Sequence, residues 1–564
     1  MKSEEKTFRL LLAIWVCADF VTALFAGFHA DEAYYSLYGA HLAWGYYDHP
    51  PMVALLTHCS SLLFDGILGI RFFTTLLHGG TLWLIWKTLD EEERHAPRAA
   101  VEFCIIAASM TLFVAYGVIT TPDAPLLFFT ALFFYLYKKY VGMAVGETYK
   151  SPKGWLLATG IAFSVAAMLY SKYMGILVVG FVLLSNLRLL RDVRVWYAMI
   201  LALMLFMPHL LWQINNHFPS FSFHLVERNL HFRWAYPLKF IPDQMLAFNP
   251  VAFCLAMFFC WKRRKTKDRF ERALLFSIVG FILFFWVMTL KGRSEPQWTV
   301  AASVPMLILL FRALHEEPWR KWIYRLFLPI AVLLFLARII LCINVLPDES
   351  GIRHDPSKME AVHQLAGDRP VVFVTSFQKP ALYRFYTGGE ATAISTIYGR
   401  RTQYDILLPD TAWQGKPVLL VGRLNNVDNM VMDDPELRYY STDNFQCNSR
   451  MEVKLLNYRV EGDSLWLQYT IHNPYSVAFN FLHPEFPTIL SVDYQEGDGF
   501  EKFGCPTPAN PVIPAGATVS GTAKVPWKSD EPMFFAMYNG LFETACSQPF
   551  VIGKNESGSS RVRD

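Results

Sequence analysis

Charged side chains are scarce in this sequence. Asp, Glu, Lys and Arg make up 18% of its 564 residues, where a soluble domain carries about 25%. Hydrophobic residues reach 53% and the mean hydropathy is +0.25. This balance excludes an ordinary soluble protein and points to a multi-span membrane chain with an added soluble part. A strong excess of one sign is missing too. The net charge of +3 excludes the broad basic surface that nucleic-acid binding needs. There is no internal repeat and no low-complexity tract. The nine cysteines include no C-x-x-C pair and no zinc spacing, which removes the common redox and structural-metal motifs. A cleavable leader is not expected either. The first apolar run, Phe8 to Phe28, is longer than the apolar core of a signal peptide, about 7–15 residues, and no small-x-small site precedes the acids after it. It reads as a retained first span, for which about 20 apolar residues suffice.

What is present is a series of apolar runs, and eleven spans are expected: 8–28, 67–87, 99–119, 126–141, 155–170, one ending near 190, 195–213, one ending at 261, 273–290, 298–311 and 323–343. Lysine and arginine collect in alternate connections. Lys138, Lys139, Lys150 and Lys153 mark one; Arg188, Arg191 and Arg194 another; K-R-R-K-T-K-D-R after Trp261 is the strongest. The positive-inside rule puts these, and the N-terminus, in the cytoplasm. From Asn344 the composition turns soluble, and that part is expected outside. P-S-K-M-E-A-V-H-Q-L-A reads as a helix, and P-V-V-F-V-T, Y-D-I-L-L-P and P-V-L-L-V-G as short buried strands, a small α/β unit over 344–430. V-K-L-L-N-Y-R-V, S-L-W-L-Q-Y-T-I-H-N and T-V-S-G-T-A-K-V alternate as half-buried strands and predict a β-sandwich-like module over 431–555. Residues 556–564 are expected to be disordered. In an extracytoplasmic module, one disulfide among Cys447, Cys505 and Cys546 is allowed. The other six cysteines lie in or near spans, as small hydrophobes.

The chemistry gathers in one stretch, His29 to Pro51, directly after the first span. It holds the adjacent acids Asp31 and Glu32, then Asp48, His49 and the helix-breaking Pro50-Pro51. Between them Tyr34, Leu37, Tyr38 and Leu42 share one helical face, which predicts an amphipathic helix at the interface over 32–42. Further polar groups fall at span ends on the same side: Asp123 in T-P-D-A-P, Lys172 and Tyr173 in Y-S-K-Y, and Lys291, Arg293 and Glu295 in K-G-R-S-E-P-Q-W. Sugar transfer from a lipid phosphate needs a base for the acceptor proton and cations for the leaving phosphate, and this inventory supplies both. By themselves the acids equally mark the wet end of a span, Lys172 equally snorkels, and Asp123 equally caps a helix. His217, Glu227, Arg228 and His231 lie in the long 215–243 connection and are acceptor-site candidates or ordinary loop residues.

Taken in order, D-E-A-Y-Y, G-Y-Y-D-H-P-P-M-V-A-L-L, T-P-D-A-P and S-K-Y-M-G resemble the family-39 glycosyltransferases. These are the bacterial relatives of dolichyl-phosphate-mannose protein mannosyltransferases and of the lipid A aminoarabinose transferase. The resemblance covers roughly residues 8–311 and none of the last 220. It implies a polytopic α-helical GT-C fold in the bacterial inner membrane. It also implies transfer of a sugar, with inversion, from a polyprenyl phosphate to an envelope glycolipid, glycan or protein on the outer side. By resemblance Asp31 is the base and Glu32 a supporting acid. Lys172, Lys291 and Arg293 are candidates to hold the donor phosphate. Tyr35, Asp48, His49, Asp123, Tyr173 and Glu295 contact substrate or shape the loop. No metal, and no cofactor beyond the lipid-linked donor, is expected. Two other classes compete. A transporter would show charged or broken helices at mid-bilayer and often an inverted repeat, whereas these spans read as nearly free of interior charge. A membrane-anchored glycan-binding protein would work through its β module.

Overall fold

The computed structural model describes residues 2–143, 151–224, 232–316, 318–343, 356–407, 410–496, 499–528, 530–554 and 560–563. They form two units, Met1–His354 and Asp355–Asp564.

The first unit is helical. Helix α1 (Lys2–Phe25) is the first span, and α4 (Leu68–Thr88) the second. The connection between them folds into two short helices, α2 (Ala30–Ala40) and α3 (Met52–Ser61), with α2 packed on α3 and α3 on α4. A capping box starts α2. The His29 ring accepts the Asp31 N–H (3.2 Å), and the Glu32 carboxylate accepts the His29 N–H (3.2 Å), which satisfies donors the helix start would otherwise orphan. The expected amphipathic face is there in Tyr34, Leu37 and Tyr38. However, Tyr35 is buried as well, so α2 is enclosed by protein rather than floating at an interface. Leu42 lies past the helix end and is exposed.

Among the described residues seven helices are long and apolar enough to cross a membrane, or eight if the pair Ala235–Phe248 and Pro250–Lys262, bent by 105°, is one span. That is fewer than the eleven expected, and the shortfall has local causes. The run 99–119 breaks into Ala99–Ala108 and Thr111–Ala115. The run ending near 190 holds the helix Gly175–Ser185, whose 11 residues reach only about 16 Å. The bend falls at Asn249 (φ 72°), just before Pro250, whose ring disfavours a helical predecessor. The helix Asp123–Val141 carries Asp123 at its start and Lys138 and Lys139 at its end. At the centre lies Ser303–Leu314, whose residues from Val304 to Phe311 are buried on every side. Such a helix is recognised by apolarity all round.

The spans are also less free of charge than their composition suggests. Asp19 of α1, fully buried, takes the His78 ring of α4 (2.7 Å) and the Arg338 guanidinium of the helix Leu328–Ile343 (2.5 Å). Glu102 takes His315 (2.7 Å), Arg320 (2.7 Å) and the Tyr324 hydroxyl (2.9 Å). Each acid stands alone in the sequence. Only packing supplies the cations that make its burial affordable.

The second unit opens with the helix Pro356–Ala366 and a mixed sheet: β1 (Val371–Val374), β2 (Ala391–Ile394), β3 (Val418–Gly422), β4 (Met430–Val431) and β5 (Asp434–Thr442), in the order β2-β1-β3-β5-β4. β1 is parallel to β2 and β3. This sheet runs through Thr442, past the expected boundary at 430. The expected strand Y-D-I-L-L-P instead makes a helical turn at Tyr404–Leu407, with 408–409 outside the described residues. There the Asp405 carboxylate accepts the Thr402 N–H (2.6 Å) and Thr402 Oγ1 the Tyr404 N–H (3.3 Å), side-chain bonds that favour a helix start over a strand.

The remaining strands are β6 (Glu452–Glu461), β7 (Ser464–His472), β8 (Phe479–Asn480), β9 (Ile489–Glu496), β10 (Gly499–Gly504), β11 (Val512–Ile513), β12 (Thr518–Pro526), β13 (Pro532–Tyr538), β14 (Glu543–Ala545), β15 (Phe550–Lys554) and β16 (Ser560–Arg563). They make the sheets β12-β7-β6 and β10-β9-β13-β15-β16, with β14 on β13 and a β8-β11 pair. The three strands expected from alternation are β6, β7 and β12. Val372 and Leu420 of the first sheet share one apolar core with Leu467 and Phe535, so the expected α/β and β modules are a single body. Cys447, Cys505 and Cys546 are all free thiols, and the allowed disulfide does not form. Of the tail expected to be disordered, 560–563 pair with β15; 556–559 and 564 lie outside the described residues.

Candidate active site

The adjacent acids Asp31 and Glu32 part company in three dimensions. Successive residues of a helix point about 100° apart. Glu32 turns inward and is fully buried. Its carboxylate accepts from Arg71 Nε (2.8 Å) and Nη2 (2.5 Å), the Thr120 N–H (2.9 Å) and the His29 N–H (3.2 Å). Arg71 in turn donates to the carbonyls of Ala23 (3.0 Å), Ala26 (3.1 Å) and Gly27 (2.8 Å). A guanidinium thus caps the C-terminal end of α1, where cations are favoured, while pairing bidentately with Glu32. The expected supporting acid is therefore engaged as a brace among α1, α2, α4 and the turn at Thr120. The Asp31 side chain is 35% exposed, with its Oδ2 3.9 Å from His29 Nδ1.

Asp48, 17 residues on, is held by side chains of its own loop. The Tyr38 hydroxyl donates to its Oδ1. Tyr38 stacks on Tyr46 (4.2 Å between centroids, 2° between planes), and Tyr46 Oη donates to the carbonyls of Tyr38 and His41 (3.0 Å each). The His49 ring lies against Tyr35 (5.6 Å) and His224 (6.2 Å), and His224 Nε2 reaches the Asp48 carbonyl (2.9 Å). Burial, and then the carboxylates of Asp31, Asp48 and Asp123, push the Tyr35 phenol well above its usual range. That direction keeps the Tyr35 phenol protonated. Replacing Tyr38 by Phe removes the donor to a buried carboxylate, and a destabilisation of about 1–3 kcal/mol is expected, measured as a lower thermal midpoint of the detergent-purified protein.

Asp123 and Lys172 come together from motifs 49 residues apart. Lys172 Nζ donates to both oxygens of Asp123, at 2.7 and 2.9 Å, and both residues are buried. Asp123 opens the helix Asp123–Val141, and Lys172 closes Pro152–Ser171 in extended conformation. Next to it, Tyr173 anchors a polar chain. His209 Nδ1 is 2.7 Å from the Trp44 carbonyl, which makes Nδ1 the donor and leaves Nε2 to accept from Tyr173 Oη at 2.8 Å. Gln213 Nε2 then donates to Tyr173 Oη (3.0 Å) and Ser220 Oγ (2.7 Å), and Ser220 Oγ to the Tyr46 carbonyl (2.7 Å). This chain fastens the first connection to the helix Val193–Asn215.

The fold thus gathers Asp31, Tyr35, Asp48, His49, Asp123, Lys172 and Tyr173. Lys291 and Arg293 sit exposed on the turn after the helix Arg269–Met288, where Arg293 lies 3.4 Å from Glu295. His217 adopts the left-handed region (φ 60°) in the turn after Asn215. Glu227, Arg228 and His231 lie outside the described residues. Among the described residues no three His, Cys, Asp or Glu side chains assemble in ligand geometry. The sequence reading missed Arg71, His209, Gln213 and His224. Arg71 had a signal, an arginine at the end of a span that the expected orientation puts outside, against the positive-inside trend. His209 and Gln213 had the i,i+4 spacing of one helix face.

A multi-span helical unit, with its first connection folded into two short helices over a cluster of acids and one lysine, has the GT-C fold of membrane glycosyltransferases. Residues 48–212 match the family described as dolichyl-phosphate-mannose-protein mannosyltransferase. Lipid A galacturonosyltransferase RgtD of Rhizobium johnstonii is 26% identical over 315 residues, 52% of this chain and 62% of that protein. The match therefore spans just under two thirds of that relative. The structure of ArnT from Cupriavidus metallidurans in the apo state superposes with a TM-score of 0.57 at 15% identity, covering 78% of this chain and 98% of that one. The same protein bound to undecaprenyl phosphate gives 0.56 at 16%, covering 77% and 97%.

Proposed function

We propose that this protein is an integral membrane glycosyltransferase. It moves a sugar from a polyprenyl phosphate to an envelope glycolipid, glycan or protein at the outer face of the bacterial inner membrane. The observation that carries the reading is the accessible acid Asp31 beside the buried Asp123–Lys172 pair, the two being linked through the bond from the Thr120 N–H to Glu32. The resemblance to RgtD and the ArnT fold support the donor class. In this mechanism Asp31 takes the proton from the acceptor hydroxyl. The acceptor oxygen forms a bond to the anomeric carbon from the face opposite the phosphate. The carbon–oxygen bond to phosphate breaks, its electron pair stays on the phosphate, and the configuration inverts. Lys172 has three N–H donors. Two hold Asp123, and the third serves a phosphate oxygen as its charge grows. The donor is itself the lipid-linked sugar, and no further cofactor takes part.

The test uses purified protein with undecaprenyl phosphate carrying galacturonic acid, mannose or aminoarabinose, and labelled envelope fractions as acceptor. Transfer of one label to one acceptor supports the reading; no transfer from any donor while the lipid phosphate fails to bind sinks it. Lys172→Ala is expected to lower kcat/KM about 10²–10³-fold, the scale of losing one electrostatic contact to a developing charge. Lys172→Arg should recover part of that loss. Equal loss in both, matched by the same loss in Asp123→Asn, would argue against the phosphate role.

A further inference from the structure

The second unit contains a cleft of about 640 Å³, well inside the usual range of ligand sites, about 300–1,000 Å³. Its position follows from topology. β1 lies between its parallel partners β2 and β3. The chain leaves β1 to one side for β2, then crosses to the other side for β3. Open sheets bind ligands where such connections diverge, beyond the carboxyl ends of the strands. Thr375, Thr396 and Arg423, which follow those three strands, line the cleft. The opposite wall comes from the antiparallel sheet, through Ser491 of β9, Lys502 of β10 and Glu543 of β14. Two backbone bonds tie the walls: Ile397 N–H to the Glu543 carbonyl (3.1 Å) and Asn425 N–H to the Leu541 carbonyl (2.9 Å). The cleft is therefore preformed. Thr375 holds φ at +74°, a strained position for a β-branched residue, with its hydroxyl 3.2 Å from that of Thr396.

Among the described lining residues Glu543 is the carboxylate and Lys502 and Arg423 are the cations. Glu543 pairs with Lys502 through Oε2. Ser491 Oγ donates to Asp493 Oδ1 (2.6 Å). Behind the lining, Asp493 is buried and shares a side-chain hydrogen bond with the buried carboxyl of Glu543. Burial, with the facing Glu543 carboxylate and against the Ser491 bond, pushes Asp493 up to about 7. A buried carboxylate beside an ammonium offers sugar hydroxyl and amine groups an acceptor, with a donor next to it. The turn after β1, T-S-F-Q-K-P, is not the glycine-rich cradle of a phosphate site, and Arg423 is engaged by Glu436 (2.5 Å). At the rim Tyr398 is 65% exposed, with its ring 5.7 Å from Phe500. An exposed phenol ring beside a polar cleft offers an apolar face and a wet edge, the pair of surfaces a pyranose presents.

We propose that this cleft is a saccharide-binding site that takes neutral or amino sugars of an envelope glycan. It lies within the second unit and does not depend on the assignment of the transfer site. The test places the full-length protein, in lipid nanodiscs, on an array of neutral, amino and uronic-acid oligosaccharides. Wild type is expected to retain neutral or amino members over acidic ones. Tyr398→Ala, an exposed position whose replacement leaves the fold intact, should weaken retention at least tenfold. Glu543→Gln should do the same or invert the preference. Asp31→Asn should retain the same glycans as wild type. Retention of no member, preference for uronic acids in wild type, or binding that survives Tyr398→Ala and vanishes with Asp31→Asn would each overturn the proposal.

Discussion

Asp31→Asn is expected to give a protein that accumulates and melts like wild type but transfers sugar about 10²–10⁴-fold more slowly, the range a positioned general base supplies. The substitution keeps the side-chain volume and removes only the ability to take a proton. Stability should hold because the Asp31 backbone N–H, not its carboxylate, completes the helix cap with His29, and the side chain is partly open to solvent. The measurement is transfer of radiolabelled sugar from a polyprenyl-phosphate pool in membranes with matched expression. Donor binding should persist, so the loss belongs in kcat rather than KM. If the variant labels acceptor normally, Asp31 is not the base and Asp48 becomes the candidate. Glu32 does not, because its carboxylate is already committed to four donors.

Glu32→Ala should behave in the opposite way, although the two residues are neighbours. Removing one partner of a buried pair leaves the other charge uncompensated, which costs about 3–5 kcal/mol. Here that is the Arg71 guanidinium, 1% exposed. The expected result is little folded protein in the membrane and, from what is purified, a thermal midpoint lowered before any kinetic change is measured. Arg71→Ala should match it, because the carbonyls of Ala23, Ala26 and Gly27 lose their donor as well. Replacing both residues together should not restore stability, since each also serves backbone groups that the other cannot reach. Fluorescence-detected size exclusion and melting curves check this. A Glu32→Gln protein that accumulates and melts normally yet fails to transfer would return Glu32 to the catalytic role the motif suggested.

The legible part of the site was its short-range part. D-E next to a span end and D-H-P-P after it could be read as one loop because both lie within His29–Pro51. Asp123 and Lys172 were each visible at a span end, but their 2.7 Å contact was not. It depends on how the helices Asp123–Val141 and Pro152–Ser171 pack. The polar chain from Trp44 through His209 to Gln213 and Ser220 was hidden for the same reason. Each member looks like an isolated polar residue on an apolar helix or in a turn. The eleven expected runs and the seven long apolar helices of the described residues part where a run is broken or short. A break after Ala108 and a turn at Asn249-Pro250 lie inside runs whose hydropathy is continuous.

By itself, then, the sequence determined that this chain is a multi-span membrane protein with a β-rich C-terminal part, because hydropathy and alternation are local sums. It also determined that acids and a lysine collect at span ends, because those motifs are contiguous. Only the tertiary structure decided that Glu32 braces while Asp31 stays accessible, since a 100° step on one helix separates a buried environment from a wet one. It also decided that interior acids such as Asp19 meet cations from distant spans, and that the expected α/β and β modules share one core. Burial energies depend on which partner arrives, and partners hundreds of residues away are set by packing.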